Sequence, residues 1–339
     1  MVCRVPEKLL QRSRSDFLRR HQLYSPRIFS TLMAMKHKFL LFITVVSFIL
    51  SPVGILSSSE IIIIKSSDII PYQKATEGFK KKLSPATFQE YSIDEDIAQG
   101  KSILARAVKR GGDLILAVGP EAAYLVGTEA SSISKVFTMV LNPERLLDTT
   151  LLYHGVSLNL PVSLQLERIK SAFPERKRIG VLYTQELNQN TVDSISDKAL
   201  AYGLRIVSFP VASQKEISKV LNAPQLDIDI LWIIPDRTIG SEKILKYLIK
   251  KMLRKKIPVV GFNEWFAKNG AILSFSLEYQ EIGKQTADLA RELLLTGPSL
   301  APFIHEPSKV RTIVNMKVAG KLGIAISVDL IKDASEVIK

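Results

Sequence analysis

The sequence predicts an α/β fold of two doubly wound lobes, and three observations lead there. Short runs rich in Ile and Val recur from Glu60 onward, each five or six residues long, the length of a parallel strand covered on both faces. Between them apolar residues return at helical spacing, so strand and helix alternate along the chain. About 280 residues follow Ser59, a length that favours two smaller sheets over one large one.

Residues 1–59 read as a leader. Lys36-His37-Lys38 is a short positive segment, Phe39 to Leu50 is an uncharged and almost wholly apolar run, and Pro52 and Gly54 break the helix after it. Ser57-Ser58-Ser59 supplies small residues for a peptidase, so 33–59 is expected to be an export signal, directing the chain to the periplasm. Met33 or Met35 is the more usual kind of start, which makes 1–32 an expected over-extension. Retention of the apolar run as an anchor is the alternative. Cysteine occurs once, at Cys3, so no cysteine follows the run to carry a lipid, and disulfides, Cys-based zinc sites and thiol redox pairs are excluded. Of four histidines only His154 and His305 lie in the body, too few for a His-rich metal site.

The net charge of +13 is largely a property of this leader. Residues 1–38 hold nine Lys and Arg against two acids, and residues 39–59 hold no charge. From Glu60 onward there are 37 basic and 31 acidic residues, a net +6 that, spread evenly, is an ordinary surface and no nucleic-acid footprint.

In the body, strands are expected at Ile61–Lys65, Asp113–Val118, Lys135–Val140, Arg178–Tyr183, Arg205–Val211, Asp229–Ile234, Pro258–Phe262, Ala271–Ser276 and Thr312–Lys317. Helices are marked by Leu164, Leu166, Ile169 and Phe173, by Ile244, Leu245, Leu248 and Met252, and by Ile282, Ala287, Leu289 and Leu293. In doubly wound sheets ligands bind beyond the carboxyl ends of the strands. Six such ends run into turns of small polar or acidic residues: Ser66-Ser67-Asp68, Gly119-Pro120-Glu121, Asn142-Pro143, Thr184-Gln185, Pro235-Asp236-Arg237-Thr238 and Asn263-Glu264-Trp265. Each turn alone reads as a helix cap; six together suggest a polar cleft.

Ile257-Pro258-Val259-Val260-Gly261-Phe262-Asn263-Glu264, Lys268-Asn269-Gly270-Ala271 and Leu277-Glu278-Tyr279-Gln280-Glu281-Ile282-Gly283-Lys284-Gln285 follow in order. With Asp113–Gly119, Lys177–Tyr183 and the closing Val314-Asn315-Met316-Lys317-Val318-Ala319, the chain resembles the substrate-binding protein family of ABC transporters that adopts the type I periplasmic-binding fold. The resemblance covers nearly all of the body. Gly119-Pro120-Glu121 departs from the family's frequent Gly-Thr-Pro, and Pro235-Asp236-Arg237-Thr238 from its Thr-Asp-Asn, so the fold transfers better than the ligand.

The resemblance implies three chain crossings between lobes, expected near 154–157, 269–272 and 300–304, with lobe 1 at 60–155 plus 271–302 and lobe 2 at 156–270 plus 303–339. It implies a monomeric solute-binding protein serving a membrane permease and its ATPase, with no cofactor, metal or nucleic acid. A sensor subunit for a signalling kinase or chemoreceptor shares the fold and is the alternative; a repressor-like regulator is disfavoured by the uncharged run at 39–59. No nucleophile elbow, phosphate-binding lysine loop, dinucleotide fingerprint or zinc-protease motif occurs, so no enzyme is expected. His154 reads as a surface or hinge residue, Trp232 as core, and Trp265, Tyr72 and Tyr124 as possible stacking partners or packing residues.

The ligand expected is an amino-acid-like or carboxylate-bearing solute. Ser66, Ser67 and the helix start after Gly119 suit a carboxylate. Asp236, with Glu264 as alternate, suits an ammonium, and Arg237 suits a second carboxylate. Tyr72, Glu121, Asn142, Thr184, Thr238 and Asn263 complete the expected ligand-facing set.

Overall fold

The computed structural model describes residues 59–147, 153–223, 226–297 and 303–339. The expected signal and its apolar run, residues 1–58, lie outside the described residues, and the residues from Ser58 to Lys339 form one compact unit.

The first half builds β1 (Ser59–Lys65), α1 (Ile70–Leu83), β2 (Ala86–Ser92), α2 (Ile97–Arg110), β3 (Leu114–Val118), α3 (Pro120–Gly127), β4 (Ser134–Val140), α4 (Pro143–Leu146) and β5 (His154–Ser157). There follow α5 (Val162–Ala172), β6 (Arg178–Tyr183), α6 (Gln185–Leu200), β7 (Arg205–Pro210), α7 (Gln214–Asn222), β8 (Ile230–Trp232), α8 (Glu242–Arg254), β9 (Val259–Gly261), α9 (Glu264–Lys268) and β10 (Leu273–Leu277). The chain closes with α10 (Tyr279–Thr296), β11 (Ile304–His305), β12 (Val310–Asn315), α11 (Met316–Leu322), α12 (Val328–Asp333) and β13 (Glu336–Ile338).

Two sheets result, a six-stranded one in the order β11-β5-β4-β3-β1-β2 and a seven-stranded one in the order β13-β12-β10-β9-β8-β6-β7. Strand pairs are parallel except β10 with β12. The apolar runs do what continuous hydrophobicity dictates. In β1, Ile61 and Ile63 face α1 and α10 while Ile62 and Ile64 face α2 and α3, and all four are fully buried.

Several expectations shift. β2 is not among the expected strands: ATFQEYS is largely polar and none of its residues is buried, as suits an edge strand. The strand expected over Thr312–Lys317 ends at Asn315, whose side chain accepts from the Val318 N–H at 2.9 Å and so starts α11. His154–Ser157, expected as a crossing, is itself β5, paired with β4 and β11.

The sheets also redraw the expected lobe boundaries. β10 joins the second sheet, next to β9 and β12, and β11 joins the first. The chain therefore changes sheet after Ser157, after Leu277 and between His305 and Val310. The short apolar runs around 270 and 304 carried no signal of which sheet they enter. α10, after the second change, packs on α1 with backbones nearly touching: a Cβ on Gly283 would lie 1.8 Å from the Ala75 carbonyl oxygen. Among the described residues no helix is long and apolar enough to cross a membrane.

Candidate functional site

All the expected polar turns sit at the carboxyl edges of the two sheets, and one contact shows that these edges meet. Arg145, in α4 just past β4, donates through Nη1 to the carbonyl of Leu187, in the first turn of α6 just past β6. The backbone leading there is unusual. Met139 and Asn142 both have positive φ, +62° and +48°, around a register shift in the β4–β5 pairing. Such conformations cost non-glycine residues energy and persist where surrounding contacts fix them. The Asn142 N–H is fixed by the Asn159 side chain at 2.8 Å, and the turn holds Asn142 and Arg145 toward the second sheet.

On the first sheet, Ser66, expected to meet a carboxylate, is turned inward. Ser66 is fully buried and its hydroxyl accepts from the Ala122 N–H at 3.0 Å. Pro120 at the helix start has no N–H to offer, and Glu121 adds a carboxylate in the first turn of α3. Ser66 thus caps one N–H at the start of α3 from within, and Glu121 sets beside it a negative charge that disfavours a ligand anion. Glu121 is half-buried and pairs with no Lys or Arg among the described residues. Gly119, at φ +96°, lets Ser66 and Tyr72 close in, since a Cβ there would lie 2.5 Å from the Ser66 Oγ and 2.8 Å from the Tyr72 ring. The Tyr72 phenol is pushed up to about 12, first by burial and then by the negative charges of Glu121 and Glu95. Ser67 is half-buried, and its hydroxyl has no partner among the described residues.

On the second sheet, the ammonium-binding role expected of Asp236 meets a carboxylate that is fully engaged. It accepts from the Thr184 N–H at 2.7 Å, the Thr184 hydroxyl at 2.9 Å and the Asn188 amide at 2.8 Å. The backbone N–H groups of Thr238 and Ile239 add 2.9 and 3.3 Å bonds. Burial works against its charge, but these donors outweigh burial and hold it below the usual carboxylate range. Thr184 is consumed in the same knot, to which Thr238 gives only its backbone N–H. Glu264 is likewise neutralised, by Lys268 and by Arg311 at 3.6 Å, and Arg311 also reaches Glu278 at 3.2 Å and Glu336 at 2.7 Å. Hydrogen bonding to Lys268, helped by the charges of Lys268 and Arg311, outweighs burial and keeps the Glu264 carboxyl low.

On this side the Thr238 hydroxyl stays available, and so do two further expected residues. Arg237 is exposed and forms no ion pair among the described residues. The Asn263 Oδ1 atom is buried without a hydrogen-bond partner, a condition that favours an incoming N–H donor. The structure therefore leaves Ser67, Glu121 and Asn142 on one edge and Arg237, Thr238 and Asn263 on the other. Arg145 and Arg311 lie outside the expected set; an arginine in a polar stretch carries no sign of what it reaches. Trp232 is core as expected, Tyr124 is largely exposed, and Trp265 packs edge-on against Phe266.

The described residues hold no group of three or more His, Cys, Asp or Glu placed to bind a metal ion. A hollow of about 600 Å³ lies at the opposite, amino edge of the second sheet, lined by Arg178 and Asp229 among others. It is open, and its guanidinium is already bound by Asp229 and Asp227, so it serves as a structural ion pair.

Two parallel α/β sheets, three chain crossings and facing carboxyl edges define the type I periplasmic-binding class. The chain belongs to the ABC transporter substrate binding protein family, whose model matches residues 72–338. The tyrosine-binding protein of Clostridioides difficile is 26% identical over 237 residues, covering 65% of this chain and 68% of that protein. Among solved structures, a ligand-free, open substrate-binding protein with adhesive properties from Clostridium difficile superposes with a TM-score of 0.68 at 22% identity, over 83% of this chain and 99% of that one. A Streptococcus pneumoniae domain in complex with L-Trp gives 0.57 at 20% identity, over 83% and 100%.

Proposed function

We propose that the chain is the exported solute-capturing subunit of an ABC importer, and that it holds an amino acid, with the aromatic ones first in line, between the two carboxyl edges. The observation that carries this reading is the Arg145–Leu187 contact, which sets those edges opposite each other with unpaired polar groups on each. A tyrosine-binding relative and a fold neighbour in complex with L-Trp support the ligand class, and the apolar leader supports export to the periplasm. In this reading the polarity of the site is the reverse of the sequence expectation. Glu121, unpaired beside Tyr72, takes the ammonium, while Arg237 takes the carboxylate and Asn263 accepts from a ligand N–H. Tyr72 forms an aromatic wall. The permease and ATPase that receive the solute complete the proposal.

A thermal-shift screen of the twenty amino acids tests it. A ligand present at 100 times its Kd adds about 2.7 kcal/mol, enough to raise Tm visibly. Stabilisation by tyrosine or tryptophan, lost in Glu121→Gln and Arg237→Ala, is the expected outcome. A flat response to all twenty removes the amino-acid reading.

A further inference from the structure

The residues from Glu60 to Lys339 carry a net charge of +6, and the segment 242–256 holds seven basic residues against Glu242 alone, a net +6 by itself. The rest of the body is therefore neutral, and its charge is concentrated on one helix. In the fold that segment is α8 with the two lysines that follow it. Ile244, Leu245, Leu248, Ile249 and Met252 turn inward to cover the second sheet. Lys243, Tyr247, Lys250 and Arg254 recur on the outer side at spacings of four, three and four, one straight stripe, and all four are exposed. Lys246 and Lys251 flank it, and Lys255 and Lys256 extend it. Only Lys246 is paired, with Glu242; the other six have no carboxylate partner among the described residues. The neighbouring α7 adds Lys215 and Lys219, both exposed.

We infer that this face docks on an anionic phospholipid surface. A stripe of like charge with no counterion of its own is held apart only by solvent, and a surface of opposite sign relieves that repulsion. The stripe runs along the side of a 13-residue helix, about 20 Å at 1.5 Å per residue, and so presents a line of contacts to a flat partner. Tyr247 sits in the middle of it, an amphipathic ring of the kind that settles at lipid headgroups. A family that serves transporters places such a surface within reach of a bilayer. α8 covers a face of the sheet with its inward side, and the stripe lies on the side turned away from that face. Duplex nucleic acid is the other polyanion this charge fits, but a helix whose inward side is buried offers only its flank to a groove.

Partition of the full chain onto vesicles of phosphatidylcholine, with and without about 30% phosphatidylglycerol, tests the inference. Wild type is compared with Lys243→Glu/Lys250→Glu/Arg254→Glu and with the same three changed to Gln, so that residues 1–58 contribute equally to every measurement. The expected result is at least a tenfold weaker partition onto the anionic vesicles for the reversal, an intermediate loss for the Gln variant, and a two- to threefold loss for Tyr247→Ala. The difference should vanish near 0.5 M salt, where charges are screened within about 4 Å. Because all these side chains are exposed, Tm should not move, and the Gln variant retains the test should the reversal unfold. Equal partition of wild type and both charge variants overturns the inference. So does a reversal that abolishes binding to duplex DNA while vesicle partition is unchanged.

Discussion

Asp236 decides much of how the second carboxyl edge is built. Five donors converge on its carboxylate, from the start of α6 and from its own turn, so the residue joins the β6 and β8 turns. Asp236→Ala leaves the Thr184 N–H and the Asn188 amide without their acceptor. The expected loss is about 1–3 kcal/mol of stability by urea unfolding, with ligand affinity within tenfold of wild type. Normal stability with lost binding would return Asp236 to the ligand. Its lowered value makes this contribution full above the ordinary carboxylate range and lost as pH falls through the folded value. His154 works at higher pH. Both its ring nitrogens are buried without partners, and burial, then the neighbouring His305, push its pKa down, with Glu292 opposing. The unfolded chain then takes up the proton more readily, so stability should decline as pH falls below about 6.5. Urea midpoints at pH 7.5 and 5.5 should differ less in His154→Gln than in wild type; an unchanged difference assigns the slope elsewhere.

At the scale of elements, the α1–α10 pair brings two backbones into near contact against the first sheet. Gly78 lies under the Gln280 carbonyl, where a Cβ would come within 2.0 Å, and Gly283 lies under that of Ala75. Neither glycine has positive φ, so both are there for closeness and not for conformation. In an open helix, Gly→Ala stabilises by roughly 0.5–1 kcal/mol. At Gly283 the added methyl must push two backbones apart, and overpacking of this kind costs about 1–3 kcal/mol. Gly320, inside α11 with open space around it, is the control. Gly283→Ala should lower Tm and Gly320→Ala should hold or raise it; a rise in both would mean that the helices separate without cost. α10 follows directly on the second crossing, so this packing also fixes where the crossing enters the first half.

At the scale of the whole molecule, function rests on two sheets joined by three strands of chain. Such a join permits rotation about the crossings, and a ligand touching both edges shifts the balance toward the closed arrangement. Arg145 bridges the edges without a ligand. Arg145→Ala should enlarge the radius of gyration of the free chain by small-angle scattering, while the liganded chain should stay as compact as wild type. Equal scattering for both free chains would mean that the bridge carries no weight in the balance. Arg311 binds Glu264, Glu278 and Glu336 beside the second and third crossings, so α9, the end of β10 and β13 are held as a unit there.

Continuous runs such as IIII at 61–64 and LILAV at 114–118 declare strands buried on both faces, because only a parallel sheet covered by helices hides every side chain. The sequence alone therefore determined the α/β class, the cores of the main strands and the helices Val162–Ala172, Glu242–Arg254 and Tyr279–Thr296. It placed the polar turns at the strand ends for the same reason, since a chain leaving a buried strand must satisfy its backbone at the edge. Polar edge strands such as Ala86–Ser92 stay hidden, because a mostly polar stretch with no clear alternation carries no strand signal. The sheet that Leu273–Leu277 and Ile304–His305 would join was not legible either, because partner choice depends on residues more than a hundred positions away for the latter. The same holds for chemistry. Asp236 and Glu264 look like open carboxylates in the sequence, yet Thr184, Asn188 and Arg311 engage them, while Glu121, expected to face a ligand, stands unpaired. Side-chain type is written in the chain, but whether a charge is spent or free is a property of its neighbours, and only the tertiary structure chooses those.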